Sequence, residues 1–103
     1  MENWTALPKK DLMMELFMAE QELEHTNETF WNSIKCSPEI WHCKDVIDDN
    51  FWVIAKWKTF IVWYNDIEEG FNLSSFKRDG EFLQYQASKQ GLNEALKKLK
   101  QKI

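Results

Sequence analysis

A chain of 103 residues, 44% of them hydrophobic, has the material for one domain around one core. Its net charge of −4 and pI near 5.2 argue against general nucleic-acid binding, and no run of 18 apolar residues is present to span a bilayer as a helix. The charge is also uneven: residues 1–50 carry 4 lysines against 11 carboxylates, a balance of −7, while residues 51–103 carry 9 cations against 6 carboxylates, a balance of +3.

The opening Met1-Glu2-Asn3-Trp4 lacks the basic region and apolar core of a signal peptide, so a cytoplasmic protein is expected. Cys36 and Cys43 are then expected as reduced thiols. Their spacing of seven fits neither CxxC nor a four-ligand zinc pattern.

Thr5 to Pro8 leads into a first helix, with Pro8 suited to the first turn, where a missing N–H costs little. Leu12, Leu16, Ala19, Leu23, Thr26 and Phe30 step by three and four along one face. The spacing predicts one long helix reaching about Lys35, unbroken or kinked near His25-Thr26-Asn27. Met13, Met14, Phe17 and Met18 widen its apolar stripe. The expectation is a helix buried on two sides. The alternative is a Met-rich contact surface, since Met adapts to irregular partners.

Ser37-Pro38 is expected to end that helix or start a turn. Ile40 to Cys43 reads as a short edge strand, and Lys44 to Asn50 as a polar loop carrying Asp45, Asp48 and Asp49.

Phe51–Trp57 and Phe60–Tyr64 are aromatic and β-branched runs of strand length, joined by Lys58-Thr59. In the first strand Phe51, Val53, Ala55 and Trp57 alternate with Trp52, Ile54 and Lys56. In the second, Phe60, Val62 and Tyr64 alternate with Ile61 and Trp63. Both faces are apolar over much of their length, unlike a sheet with one wet side. Two helices cover one face; the other needs a terminal segment, another subunit or a partner.

Asn65 to Gly70 is a polar corner, and Phe71–Phe76 is the next strand. Lys77-Arg78-Asp79-Gly80 turns into a strand over Glu81–Tyr85. Ser88 is placed to cap a last helix running toward Lys100. Leu92, Ala95, Leu96, Leu99 and Ile103 form its inner stripe, while Lys97, Lys98, Lys100 and Lys102 oppose the macrodipole. The expected core includes Leu16, Leu23, Phe30, Val53, Ala55, Phe60, Val62, Leu92 and Leu96.

The phrase Trp63-Tyr64-Asn65-Asp66-Ile67-Glu68-Glu69-Gly70-Phe71-Asn72 resembles a group of small bacterial proteins with a strand–WYNDIExGFN–strand core. Phe51-Trp52-Val53, Gly80, Gln90 and Leu92 extend the resemblance over about residues 30–100. Lys58-Thr59 departs from it, since the pattern leads one to expect a Gly there. The resemblance implies an α+β fold and carries no established activity. More loosely, in size and charge, the chain resembles the immunity partners of bacterial toxins.

For the corner itself, the leading reading is structural: Asn65, Asp66 and Asn72 bond backbone groups and Gly70 permits the bend. A second has Asp66, Glu68 and Glu69 meeting basic groups on a partner. A third, a hard-cation site, lacks the EF-hand ligand spacing. GxSxG, HExxH and a phosphate-binding Gly loop are absent from the sequence. That leaves His42 with Cys36, or Asp66 with Glu68, as pairs with catalytic chemistry in principle.

These readings converge on one α+β domain over residues 1–103: a long N-terminal helix, an antiparallel sheet of four or five strands and a C-terminal helix. The expected function is that of a non-enzymatic protein-binding module, an immunity-type inhibitor occluding a basic bacterial toxin, without cofactor or metal. Asp45, Asp48, Asp49, Asp66, Glu68 and Glu69 would steer the partner, and Trp41, Trp52 and Trp63 would contact it. The alternative is a structural homo-oligomer, a homodimer in its simplest form, whose twofold interface covers the second sheet face.

Overall fold

The computed structural model describes residues 7–102. The elements run α1 (Lys9–Gln21), α2 (His25–Ile34), β1 (Lys35–Lys44), β2 (Asp48–Trp57), β3 (Phe60–Asn65), β4 (Gly70–Ser75), β5 (Glu81–Phe82) and α3 (Leu92–Lys100). Met1–Trp4, Thr5 and Ile103, each used in the sequence reading, lie outside the described residues. The class is α+β as expected, but neither the long first helix nor the purely antiparallel sheet is found.

The N-terminal helix is broken at Glu22–Glu24, ahead of the expected kink. Neither α1 nor α2 is capped by a flanking side chain. Asn93 of α3 serves both ends instead. Its Nδ2 donates to the Glu22 carbonyl at 2.9 Å, and its Oδ1 accepts from the Glu24 N–H at 3.0 Å and from Asn27 Nδ2 at 2.9 Å. Orphan backbone groups at a helix end need partners, and a remote side chain supplies them here.

The sheet has the order β4-β3-β2-β1-β5. The neighbours β4–β3, β3–β2 and β2–β1 are antiparallel, while β5 lies parallel to β1. The sheet is therefore mixed. After the turn at Gly80 (φ +100°) the chain does not fold back beside β4; it crosses to the far edge. The expected strand Glu81–Tyr85 shrinks to two residues. The expected edge strand Ile40–Cys43 becomes the ten-residue β1, flanked on both sides. Pro38 is tolerated inside it because the β1–β2 register breaks between Lys35 and Glu39, where no regular ladder bond is needed. The expected polar loop shortens to residues 45–47.

A second register break makes Ile54 an extra residue between Val53 and Ala55. Strict alternation assigned Val53 and Ala55 to one face. The bulge separates them, so Trp52, Ile54, Ala55 and Trp57 all join the helix-side core. Leu12, Leu16, Trp31, Ile34, Val62, Tyr64, Phe71, Leu92, Ala95, Leu96 and Leu99 complete that layer. Of the expected core, Leu23, Phe30 and Phe60 are only partly buried against it.

Trp41, Cys43, Phe51, Val53, Ile61, Trp63 and Phe82 form a separate core on the other face. The chain covers this face itself. The Phe82 and Tyr85 rings lie 5.0 and 5.9 Å from that of Trp63, and Phe76 meets Trp41 edge-on at 5.1 Å. Residues 76–90 thus supply the terminal segment that the apolar sheet required. Buried polar side chains pin this segment. Asn72 exchanges bonds with Ser88 (3.0 and 3.1 Å), Ser74 Oγ donates to the Gln84 carbonyl (2.6 Å), and Asn65 Nδ2 donates to the Gln86 carbonyl (2.9 Å).

Ser88 does not cap α3. The helix starts after Gly91, whose N–H is bonded by Glu94 Oε1 at 3.0 Å. No helix among the described residues is long and apolar enough to cross a membrane.

Candidate protein-binding surface

The β1–β2 and β3–β4 turns lie at the same end of the sheet, because Asp48 begins the strand that runs antiparallel to the one ending at Asn65. This gathers Asp45, Asp48, Asp49, Asp66, Glu68 and Glu69 at one rim. Their field is visible in neighbouring groups. Burial first, then Asp45, Asp48 and Asp49, push the Cys43 thiol up to about 11. Burial first, then Glu15, Glu69 and Asp66, push the Tyr64 hydroxyl up to about 12. Glu15 of α1 thus acts on Tyr64 together with acids of the β3–β4 turn, a grouping that its place in the chain does not suggest.

Several of these acids also have structural partners. Asp45 Oδ2 accepts the Tyr85 N–H at 2.8 Å, Asp48 pairs with His42 Nε2, and Asp49 Oδ1 accepts the Asn50 N–H at 3.2 Å. The backbone N–H groups of Asp66 and Leu7 favour its carboxylate form, while its buried Oδ1 has no hydrogen-bond partner among the described residues. Burial raises the Asp66 pKa, and the Asp49 charge adds to the rise. Glu68 and Glu69 enter no ion pair among the described residues.

The tryptophans face inward. Trp63 is 0% exposed, with Nε1 donating to Ser74 Oγ at 2.9 Å; Trp41 is 2% exposed, with Nε1 donating to Glu39 Oε1 at 2.9 Å. Neither presents a surface to a partner. Trp52 is half-buried and donates to the Leu7 carbonyl at 2.6 Å.

Four of the eight exposed large apolar side chains among the described residues lie together on α1, the others being Ile40, Val46, Ile67 and Leu83. Only Leu12 and Leu16 of that helix are buried. Met13, Met14, Phe17 and Met18 are 43, 62, 61 and 50% exposed, which overturns the expectation of a helix buried on two sides. At about 100° per residue they stand roughly 100°, 200°, 140° and 240° round from Leu12. Such an arc cannot share one core with Leu12 and Leu16, and that arithmetic was available in the sequence. Asp11, Glu22 and Glu15 follow at roughly 260°, 280° and 300°, forming an acidic flank beside Met18. Next to it, a cleft of about 380 Å³ between α1, β4 and the start of α3 is lined by Glu15, Met18, Glu22, Phe71 and Glu94, among others. Glu94 escaped the sequence reading because only the fold brings α3 to α1.

The corner Asn residues act structurally. Asn65 Oδ1 accepts the Ile67 and Glu68 N–H groups at 3.0 and 3.1 Å, closing the turn. The left-handed residue there is Glu69 (φ 60°), not Gly70. Among candidate nucleophiles, Cys36 is kept as a thiol by burial and by Glu39, with Lys56 opposing. His42 engages Asn50 and Asp48. A cleft of about 520 Å³ beside β4 is lined by amides, serines, Lys98 and Lys102, with no carboxylate among its lining residues. No group of three or more His, Cys, Asp or Glu able to hold a metal occurs among the described residues. Compared with known proteins, the chain matches no family model, no curated protein and no solved structure.

Proposed function

We propose that this chain is a non-enzymatic protein-binding module, an immunity-type inhibitor that occludes a basic bacterial toxin. The observation that carries the reading is the exposed Met13–Met14–Phe17–Met18 face standing beside an acidic border. A contiguous exposed apolar patch rimmed by polar residues is the kind of surface that a second molecule covers. Carboxylates at the rim favour a cationic partner and speed its approach, while apolar contact supplies affinity. The homo-oligomer reading loses the surface it needed, because residues 76–90 already fill the second sheet face.

Copurification of the tagged full chain from its native cell is the direct test. The expected result is a stoichiometric complex with a basic protein whose activity the chain suppresses. Reversal of Asp48, Asp49, Glu68 and Glu69 to Lys should slow association and flatten its salt dependence. Recovery of the chain alone under conditions that preserve complexes would sink the reading.

A further inference from the structure

The exposed face of α1 and the cleft beside it are contiguous, since Met18 belongs to both. Their chemistry differs in a useful way. The helix face offers flexible, polarisable side chains that adapt to an apolar ridge. The cleft offers Glu15, Glu22 and Glu94 around Met18 and Phe71, and no cation is among its lining residues. A long side chain with an apolar stem and a cationic head fits such a site, stem against Met18 and Phe71, head among the carboxylates. Lys9 and Lys10, the cations of α1 itself, stand in its first turn, at the opposite end from Glu22. A second copy set cleft to cleft would bring carboxylates against carboxylates, so self-association is disfavoured there.

We infer that the outer face of α1, together with the cleft between α1 and the start of α3, docks an amphipathic segment of the partner whose apolar side is edged by lysine or arginine. This rests on the protein-binding reading and specifies its site. The mode is helix-in-groove recognition, with α1 contributing one wall.

The test uses the full chain labelled at its methionine methyl groups, because Met13, Met14 and Met18 are three of its 4 methionines. Two synthetic amphipathic peptides of equal length serve as probes, one of leucine and lysine and one of leucine and glutamate. The leucine–lysine peptide should shift the α1 methyl resonances saturably, and the leucine–glutamate peptide should not. Met14→Glu with Met18→Glu, both at exposed positions, should abolish that binding without unfolding the chain. Glu15→Gln, Glu22→Gln and Glu94→Gln together should weaken it by about tenfold and reduce its salt dependence. Gln at 94 keeps an oxygen to accept the Gly91 N–H, so α3 remains capped.

Equal binding of the two peptides, or indifference to the three Gln substitutions, overturns the inference. So does a dimer in sedimentation that Met14→Glu with Met18→Glu dissociates, since the occupant is then a second copy. A captured native partner that binds the double variant undiminished overturns this placement and leaves the binding module standing. Failure to capture any partner removes the broader function, while the peptide titration still decides the chemistry of α1.

Discussion

Gly70 lies where β4 passes against the backbone of residues 88–89. A Cβ there would come within 2.7 Å of Lys89 Cα and 2.8 Å of its carbonyl carbon. Those are backbone atoms, so the strap formed by residues 76–90 has to move rather than a rotamer. Gly70→Ala should therefore cost about 1–3 kcal/mol, the usual range for overpacking, read as a lower urea midpoint. Gly80 makes the contrast: its φ of +100° strains any side chain, but a Cβ there meets nothing within 4 Å. Gly80→Ala should leave the strap in place, and equal disturbance of residues 88–90 by both variants would contradict the close approach at Gly70. Two other residues, with the largest upward shifts, contribute to alkaline stability. Tyr64 is raised from 10.0 to about 12 and Cys43 from 9.0 to about 11, burial being the first cause in both. The folded pKa exceeds the unfolded one, so as pH rises past 9 the unfolded chain loses protons that the folded chain keeps. Stability is thus full below pH 9 and falls progressively toward pH 12. For Tyr64 the displacement corresponds to on the order of 3 kcal/mol. Tyr64→Phe should make the loss shallower above pH 10 and leave the part that Cys43 contributes up to about pH 11; an unchanged alkaline slope in urea midpoints would show that other groups drive it.

Element by element, the fold depends on polar side chains reaching across long stretches of chain. Asn72 is fully buried on β4 and bonds Ser88 through both its Oδ1 and Nδ2. Asn72→Ala would leave the Ser88 N–H and carbonyl without those partners under the strap, at a cost of about 1–3 kcal/mol. Hydrogen exchange should quicken at Ser88 and at Phe71, whose N–H is held by the Gln90 carbonyl, while the amides of α1 keep their rates. Uniform acceleration across the chain would mean that Asn72 acts on global unfolding and not on a local opening at residues 88–90. These same long reaches mark what was legible in the sequence. Periodicity found α3 and its stripe, and the alternation of β3, because Leu92–Leu96–Leu99 and Phe60–Val62–Tyr64 each repeat against one environment. It offered only a kink near His25-Thr26-Asn27 in place of the full α1–α2 break at Glu22–Glu24, since Asn93 supplies the partners from 69 and 71 residues away. It placed Ala55 on the wrong face because a single bulged residue, Ile54, inverts the alternation beyond it. It took Glu81–Tyr85 for a full strand although Phe82 and Tyr85 are engaged in packing on Trp63. For the candidate site, the acids were legible as composition. Their joining to the α1 face was not, because that depends on which way α1 rolls on the sheet.

At the scale of the whole molecule, two apolar layers share one pair of central strands. Ala55, Val62 and Tyr64 point into the helix layer, while Val53, Ile61 and Trp63 point into the layer beneath residues 76–90. Loss of either layer bares the opposite face of the same backbone, so neither is expected to persist without the other. The radius of gyration of 12.9 Å agrees with the roughly 13 Å typical of a single globule of about 100 residues. One cooperative transition should follow. Fluorine-labelled tryptophan gives a reporter in each layer: Trp31 among the helices, with its Nε1 bonded to Glu20 at 2.7 Å, and Trp41 and Trp63 on the other face. All three resonances should collapse at one urea midpoint, coincident with the loss of far-ultraviolet circular dichroism. If Trp41 and Trp63 instead reported an earlier transition while Trp31 stayed native, residues 76–90 would be a separable cover. The second sheet face would then open under mild conditions and offer a partner apolar surface well beyond that of α1.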